Sequence, residues 1–218
     1  ALFAQIDSQL AERVAMGIGV TVPRGITLSS VTKSSPALSM ARMAPSPKGR
    51  KVAILLDEGY NHQELMGVTQ ALTAAGVGVK IVSMLLGVKK SADGQEVEVD
   101  KHHVSAASIL FDAIFIPGGR DSVEAMKQQG DALHFINEAY KHCKPIAALS
   151  EGVDFLLASS IRGLTLASPA NAGQVVTSRG VVTAWEPVDL DAFIEAFMQA
   201  MAQHRHWDRD AVKTPVPA

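Results

Sequence analysis

The triplet Ser150-Glu151-Gly152 stands where the apolar run KPIAALS gives way to a helical pattern. This is the layout of a nucleophile elbow, in which a strand ends, the backbone turns sharply beside a glycine, and a helix starts almost at once. A side chain at such a bend projects above the carboxyl edge of a sheet, beside helix N–H groups that favour an anionic nucleophile. Serine is equally at home as a helix N-cap, which needs no chemistry. To act as a nucleophile, Ser150 needs a positioned base. No histidine flanks it, and Glu151, with an ordinary carboxyl pKa of about 4.3, is a weak base for a hydroxyl. Glu64, early in the helix after the first strand, can reach the same edge and hydrogen-bond Ser150, or it can simply complement the helix dipole. Gly118 and Gly119 follow another strand, where they offer backbone donors for an oxyanion or serve as turn formers.

The remaining candidates argue against other chemistries. His102 and His103 are adjacent, and His204 and His206 are two apart, so neither pair shares a helix face as i, i+4 zinc ligands would. All four read as solvated surface histidines. Cys143 precedes its strand, which fits a small buried hydrophobe and not an elbow thiol. As the single cysteine it forms no internal disulfide, a pattern compatible with a reducing compartment and with secretion alike. In the loop DEGYNHQE, Asp57 and Glu58 would repel the phosphate of a nucleotide cofactor. Gly76 and Gly78 follow a helix and precede a strand, the reverse of a dinucleotide fingerprint. A formal charge of −2, from 20 basic and 22 acidic residues, provides no footprint for nucleic acid or an anionic membrane. No apolar run approaches the ~20 residues of a membrane span. The opening residues lack the order of a signal peptide, and the initial alanine is compatible with a fragment or a processed product.

The elements that must position these residues follow from periodicity. At 47% hydrophobic and 19% charged, the chain suits one α/β domain with additional terminal chain. Residues 1–22 carry an amphipathic helix with Leu10, Val14 and Ala15 at helical spacing, an Asp7/Ser8 cap and a glycine stop. Residues 23–49 are rich in Ser, Pro, Thr and Lys, with Pro36, Pro45 and Pro47 and isolated Met40 and Met43, and read as a linker. From residue 50 the pattern alternates: strand KVAILL, helix from about His62 to Ala75, strand VGVKIVSML, a β excursion holding an ADG turn and EVEV, and strand FDAIFIPGG. Helices around Val123–Gln128 and Ala132–His142 lead through KPIAALS to a helix near Glu151. QVVTSRGVVTAW supplies a last strand or hairpin before a helix from about Val188 to His204, whose Phe193, Phe197, Met198 and Met201 form a core stripe. Repeated β-then-α order predicts a mostly parallel sheet with helices on both faces and sites at the carboxyl ends of its strands. The domain is taken as 50–206, and 207–218 as a tail that packs or frays.

The ordered motifs VAILLDEGYNHQEL, DAIFIPGG, AALSEG and VVTSRG resemble the DJ-1/PfpI branch of the class I glutamine amidotransferase-like fold over about residues 50–200. The resemblance implies a flavodoxin-like three-layer fold. Active members carry cysteine at the elbow, often followed by histidine, with a glutamate from the first helix. Glu64, Gly118 and Gly119 match that pattern, whereas Ser150 and Glu151 replace cysteine and histidine, implying a degenerate site. The flanks are also informative: IDSQLAERVAMGIGVTVP is similar to the closing helix of a catalase core, and AQHRHWDR to the terminus of large-subunit catalases. That resemblance implies a C-terminal domain without haem, joined to an upstream core that holds haem and decomposes hydrogen peroxide. Neither Tyr60 nor Tyr140 has the arginine four positions earlier that catalase haem ligands commonly have. It further implies a stabilising, chaperone-like role, with the core of the same polypeptide, neighbouring subunits of a tetramer and unfolding client proteins as partners. The alternative is a Ser150-dependent hydrolase or a glyoxalase-like enzyme of small carbonyl compounds.

Overall fold

Strand β1 (Lys51–Leu55) explains why the sheet must be covered twice. Side chains alternate across a strand, and here both sets are apolar. Val52 and Ile54 enter one buried layer, Ala53 and Leu55 the other. The computed structural model describes residues 2–22 and 45–209, which fall into two units, one within residues 1–44 and one from Pro45 onward.

The first unit is a short 3-10 turn, Phe3–Gln5, and helix α1 (Ser8–Ile18). Asp7 caps α1 by accepting the Leu10 N–H at 2.8 Å, and Gly19 ends it in the left-handed conformation. Residues 23–44 of the expected linker, with Pro36, Met40 and Met43, lie outside the described residues. Its end, 45–49, belongs to the second unit, where the Gly49 N–H donates to Gly76 O and leads the chain into β1.

In the second unit, β1 is followed by α2 (His62–Ala74), β2 (Gly78–Ser83), the hairpin β3 (Gly87–Lys90) and β4 (Glu96–Val99), and the short β5 (Lys101–His102). Then come β6 (Ala113–Ile116), α3 (Arg120–Lys127), α4 (Gly130–Lys141), β7 (Ile146–Leu149), α5 (Gly152–Ala158), β8 (Val175–Ser178), β9 (Val181–Ala184) and α6 (Leu190–Ala202). Seven strands form one sheet in the order β5-β2-β1-β6-β7-β9-β8, parallel except for the β8/β9 pair. The expected excursion is the separate antiparallel hairpin β3/β4. Helices α3, α4 and α5 cover one sheet face, through Val123, Phe135, Ile136 and Phe155; α2 and α6 cover the other, through Leu65, Val68, Phe193 and Phe197. The predicted α/β three-layer arrangement is therefore the one observed. Met201 is buried with the two phenylalanines of α6, while Met198 packs half-buried at the margin.

Two local expectations change, and one that was open is decided. His103 and His206 are buried, not solvated. His103 sits beside Phe135, and the His206 ring lies over Gly180, where a Cβ would come within 2.1 Å of it. Strand ends and tails read as exposed in one dimension, but both follow elements that turn them back onto the domain. The tail also packs as far as the described residues go. Arg209 donates to Arg179 O at 2.7 Å and Tyr140 O at 3.1 Å, with its guanidinium 4.4 Å from the Tyr140 ring centre, whereas Trp207 between the two anchors is exposed. Finally, Asp57 is not a free charge. Lys89 of β3 reaches it at 2.5 Å, Gln129 donates to its other oxygen at 2.8 Å, and the pair is buried. The hairpin thus neutralises the first strand-to-helix loop, and Glu58 accepts the Lys90 N–H beside it. Phosphate repulsion by Asp57 is no longer the reason to doubt a nucleotide there; the loop is occupied by the hairpin.

Candidate functional site

Strand order reverses between β1 and β6: the chain leaves β1 toward β2 and later crosses back to β6 on the other side. Loops diverge at such a point and leave a crevice at the strands' carboxyl ends. Here the crevice is closed at close range. The Asn61 N–H donates to Gly118 O at 2.8 Å, and a Cβ on Gly119, whose φ is 113°, would lie 2.3 Å from Gly59 O. Only glycine permits that approach. The Asn61 side chain caps α2 by accepting the Glu64 N–H, which fixes Glu64 in the first turn with its carboxyl pointing to the sheet edge.

Ser150 follows β7 in the left-handed conformation, φ 47°, and its N–H donates to Ala184 O of β9. Gly152 makes the bend possible, since a Cβ there would lie 2.6 Å from Ile116 O. The predicted elbow is thus present, with Ser150 only 3% exposed. Its hydroxyl does not cap the helix. It donates to Glu64 Oε1 at 2.9 Å, while α5 has Glu151 as N-cap residue and no side-chain cap bond.

The other Glu64 oxygen, Oε2, accepts the Gly118 N–H at 2.6 Å, and Glu151 Oε2 accepts the Gly119 N–H at 3.1 Å. All five residues singled out from sequence therefore meet. The glycines are not free oxyanion donors, however, because each N–H already serves a carboxylate of the chain. Burial pushes the Glu64 carboxyl up to about 7, against the two hydrogen bonds that favour its ion, and the nearby charges of Glu186 and Glu151 push the same way. At neutral pH Glu64 is shared between acid and carboxylate, more basic than an ordinary glutamate and still far below a serine hydroxyl.

Glu64 also lines a cleft of about 550 Å³ with Asn61, Gln63, Glu186, Pro187, Val188 and Leu190, and Ser150 is not part of its wall. Sequence reasoning missed Asn61 and Glu186. Asn61 was legible as an N-cap before an apolar-periodic helix, whereas nothing local connects Glu186 with a residue more than a hundred positions away. Among the described residues no group of three or more His, Cys, Asp and Glu is arranged to hold a metal ion. Neither tyrosine suits an axial haem ligand: the Tyr60 hydroxyl donates to Gln95 O within the fold, and Tyr140 is buried beneath Arg209.

A family model described as the C-terminal domain found in long catalases matches residues 48–211. Catalase-2 of Bacillus subtilis is 39% identical over 208 residues, covering 95% of the chain. Catalase HPII of Pseudomonas aeruginosa is 32% identical over 218 residues, covering all of it. The chain spans 28% of the length of each of these relatives. Among solved structures, a two-domain protein from Anabaena variabilis with DJ-1/ThiJ/PfpI-like and ferritin-like domains superposes with a TM-score of 0.65 at 24% identity, over 70% of this chain and 50% of that one. A ThiJ/PfpI domain protein from Brachyspira murdochii gives a TM-score of 0.65 at 17% identity, over 72% of this chain and 98% of its own. At these identities the likeness concerns the fold.

Proposed function

The chain belongs to the family of C-terminal domains found in long catalases, and from that membership we propose that it is a non-catalytic module that stabilises its parent enzyme and binds unfolding proteins in a chaperone-like way. One observation carries the non-catalytic part: the donors that would hold a substrate oxyanion, Gly118 N–H and Gly119 N–H, are taken by Glu64 and Glu151. An oxyanion site works through preorganised donors aimed at the charge that develops in the transition state. A substrate would have to displace a carboxylate from each of them, and its oxyanion would then face that negative charge. Glu151 in particular stands in for the anion at the position where a histidine would assist a thiol in active relatives of the fold. The amidotransferase-type site is on this reading a closed structural knot that joins α2 to the ends of β6 and β7.

Peroxide decomposition, and the haem that carries it, belong in this proposal to the part of the parent outside this chain. The partners are that catalase body, neighbouring subunits of an oligomer and, for the chaperone-like role, client proteins. Exposed Leu85, Leu86, Val104, Ile109 and Trp207 support contact with apolar protein surface. The second reading, a Ser150-dependent hydrolase or small-carbonyl enzyme, is favoured by the strained elbow and the 2.9 Å bond from Ser150 to a glutamate of raised pKa. One experiment separates them. The 218-residue chain and its Ser150→Ala variant are added to a thermally aggregating protein, and both are assayed with activated esters and with methylglyoxal. Suppressed aggregation that survives the substitution, without turnover, supports the proposal. Turnover abolished by the substitution establishes the enzyme instead, and absence of both activities removes the chaperone-like role.

A further inference from the structure

Strand β5 is held at the sheet edge by two residues, Lys101 and His102, which pair with Val82 and Ser83 of β2. Residues 103–111 then return the chain to β6, and a cleft of about 420 Å³ lies between this segment and helix α4. Val104, Ile109 and Leu110 leave it 67%, 78% and 57% exposed, while Ala106 and Phe111 are buried, with the Phe111 ring centre 6.0 Å from that of Phe135 on α4. The segment is fastened by the His103 N–H, which donates to Ser83 O, by the Ala106 N–H, which donates to His102 O, and by Lys144 Nζ, which donates to Ser108 O and Phe111 O. Burial holds the Lys144 amine at about 8, so below that value it stays charged and its two bonds do not change with acid.

At the start of the segment His103 is 3% exposed, its ring centre lies 6.1 Å from that of Phe135, and neither ring nitrogen has a hydrogen-bond partner. A neutral imidazole leaves one donor unpaired there. An imidazolium carries two donors and a full charge, and both nitrogens face packed protein that offers no acceptor. Burial therefore pushes the ring down to about 4 from an ordinary 6.5, and the neighbouring His102 pushes the same way. The carboxylates that oppose this are Asp57, on the loop before α2 and already neutralised by Lys89 of β3, and Asp131 of α4. His134, Glu138 and His142 of α4 also line the cleft. We propose that residues 103–111 form an acid-triggered flap: protonation of His103 lifts the segment from α4, which brings the imidazolium to water and uncovers Phe111 and Phe135. The flap needs neither the Ser150 bend nor the chaperone-like role proposed above.

The closed segment binds the proton more weakly than the open one, so closure is fully stabilised above the ordinary histidine value and is lost as pH falls toward the lower one. Hydrogen exchange of the full chain, read by mass spectrometry at about pH 7 and pH 5 and corrected for the chemical exchange rate, measures the opening. Protection at residues 105–111 should fall about 20-fold between the two, relative to the amides of β6 and β7. Glu64, whose pKa is raised, strengthens the fold over the same acid range, so global opening would change protection in the opposite sense. His103→Phe and His103→Leu cannot take a proton, and each should abolish the fall, whereas His134→Gln/His142→Gln should keep it. Wild-type protection that is the same at both pH values overturns the proposal, as does a fall that persists in either His103 variant or vanishes in the double variant. Misfolding of one His103 variant leaves the other to decide.

Discussion

Replacing Glu64 by glutamine should change the pH dependence of stability more than stability itself. In the folded chain burial holds the Glu64 carboxyl at about 7, against an ordinary value of 4.5. Between those values the folded protein keeps a proton that the unfolded chain has released, so its stability falls as pH rises. The protonated acid contributes fully below the unfolded pKa, and that contribution is lost by the time pH passes the folded one. At ~1.36 kcal/mol per pKa unit, the loss between about pH 4.5 and pH 8 is roughly 3 kcal/mol. Glutamine cannot titrate and escapes this loss. Its carbonyl oxygen can accept the Gly118 N–H while its amide N–H2 donates to Ser150 Oγ, which turns to accept, so the pH-independent cost is about 1 kcal/mol or less. Urea unfolding of wild type and Glu64→Gln, followed by tryptophan fluorescence from about pH 5 to pH 8, should show the variant weaker in acid and gaining on the wild type by about 2–3 kcal/mol across the range. A difference that stays flat, or that moves against the variant as pH rises, would refute the assignment of a raised pKa to Glu64 and with it the reading of a desolvated carboxyl at the site.

Gly119→Ala should cost about 2–5 kcal/mol through an unfavourable positive φ and overlap with Gly59 O; a thermal melt within a few degrees of wild type would contradict the close approach of the two loops. Lys89→Met leaves Asp57 buried without its counter-charge and should destabilise by about 3–5 kcal/mol. The double variant Asp57→Leu/Lys89→Met should recover most of that loss in urea titrations, and additive losses would show that the pair is not coupled. Arg209→Ala removes two hydrogen bonds and the stacking on Tyr140, an expected loss of about 2–3 kcal/mol with faster proteolysis after α6; unchanged proteolysis would mean that the tail does not fasten the domain.

The fold was largely legible because its signals are local. Runs such as VAIL and AIFI are apolar on both faces, which only a strand covered twice can satisfy, and the intervening helices carry their own periodicity, while Asp7 marks the start of α1 as its cap. The elbow was legible for the same reason: strand, Ser150, Gly152 and helix are contiguous. What Ser150 does with its hydroxyl was not, since an N-cap and a donor to a distant glutamate look alike in sequence. The same holds for Gly118 and Gly119, whose N–H groups could be counted but not their acceptors. His103 and His206 were misplaced because polar residues near strand and helix ends are assigned to solvent by default, and burial by a neighbouring element leaves no local mark.

By itself the sequence determined the order of strands and helices, the two-sided burial of the sheet, the sharp bend at Ser150 and the absence there of a thiol and its histidine. Only the tertiary structure decided that Glu64, Glu151, Gly118 and Gly119 saturate one another around that bend, that Lys89 neutralises Asp57, and that His103 is left buried without a partner beside a cleft. The physical reason is range. Propensity, periodicity and capping act over a few residues, whereas the protonation and pairing of a buried group depend on atoms that the crossover connections bring from tens of positions away.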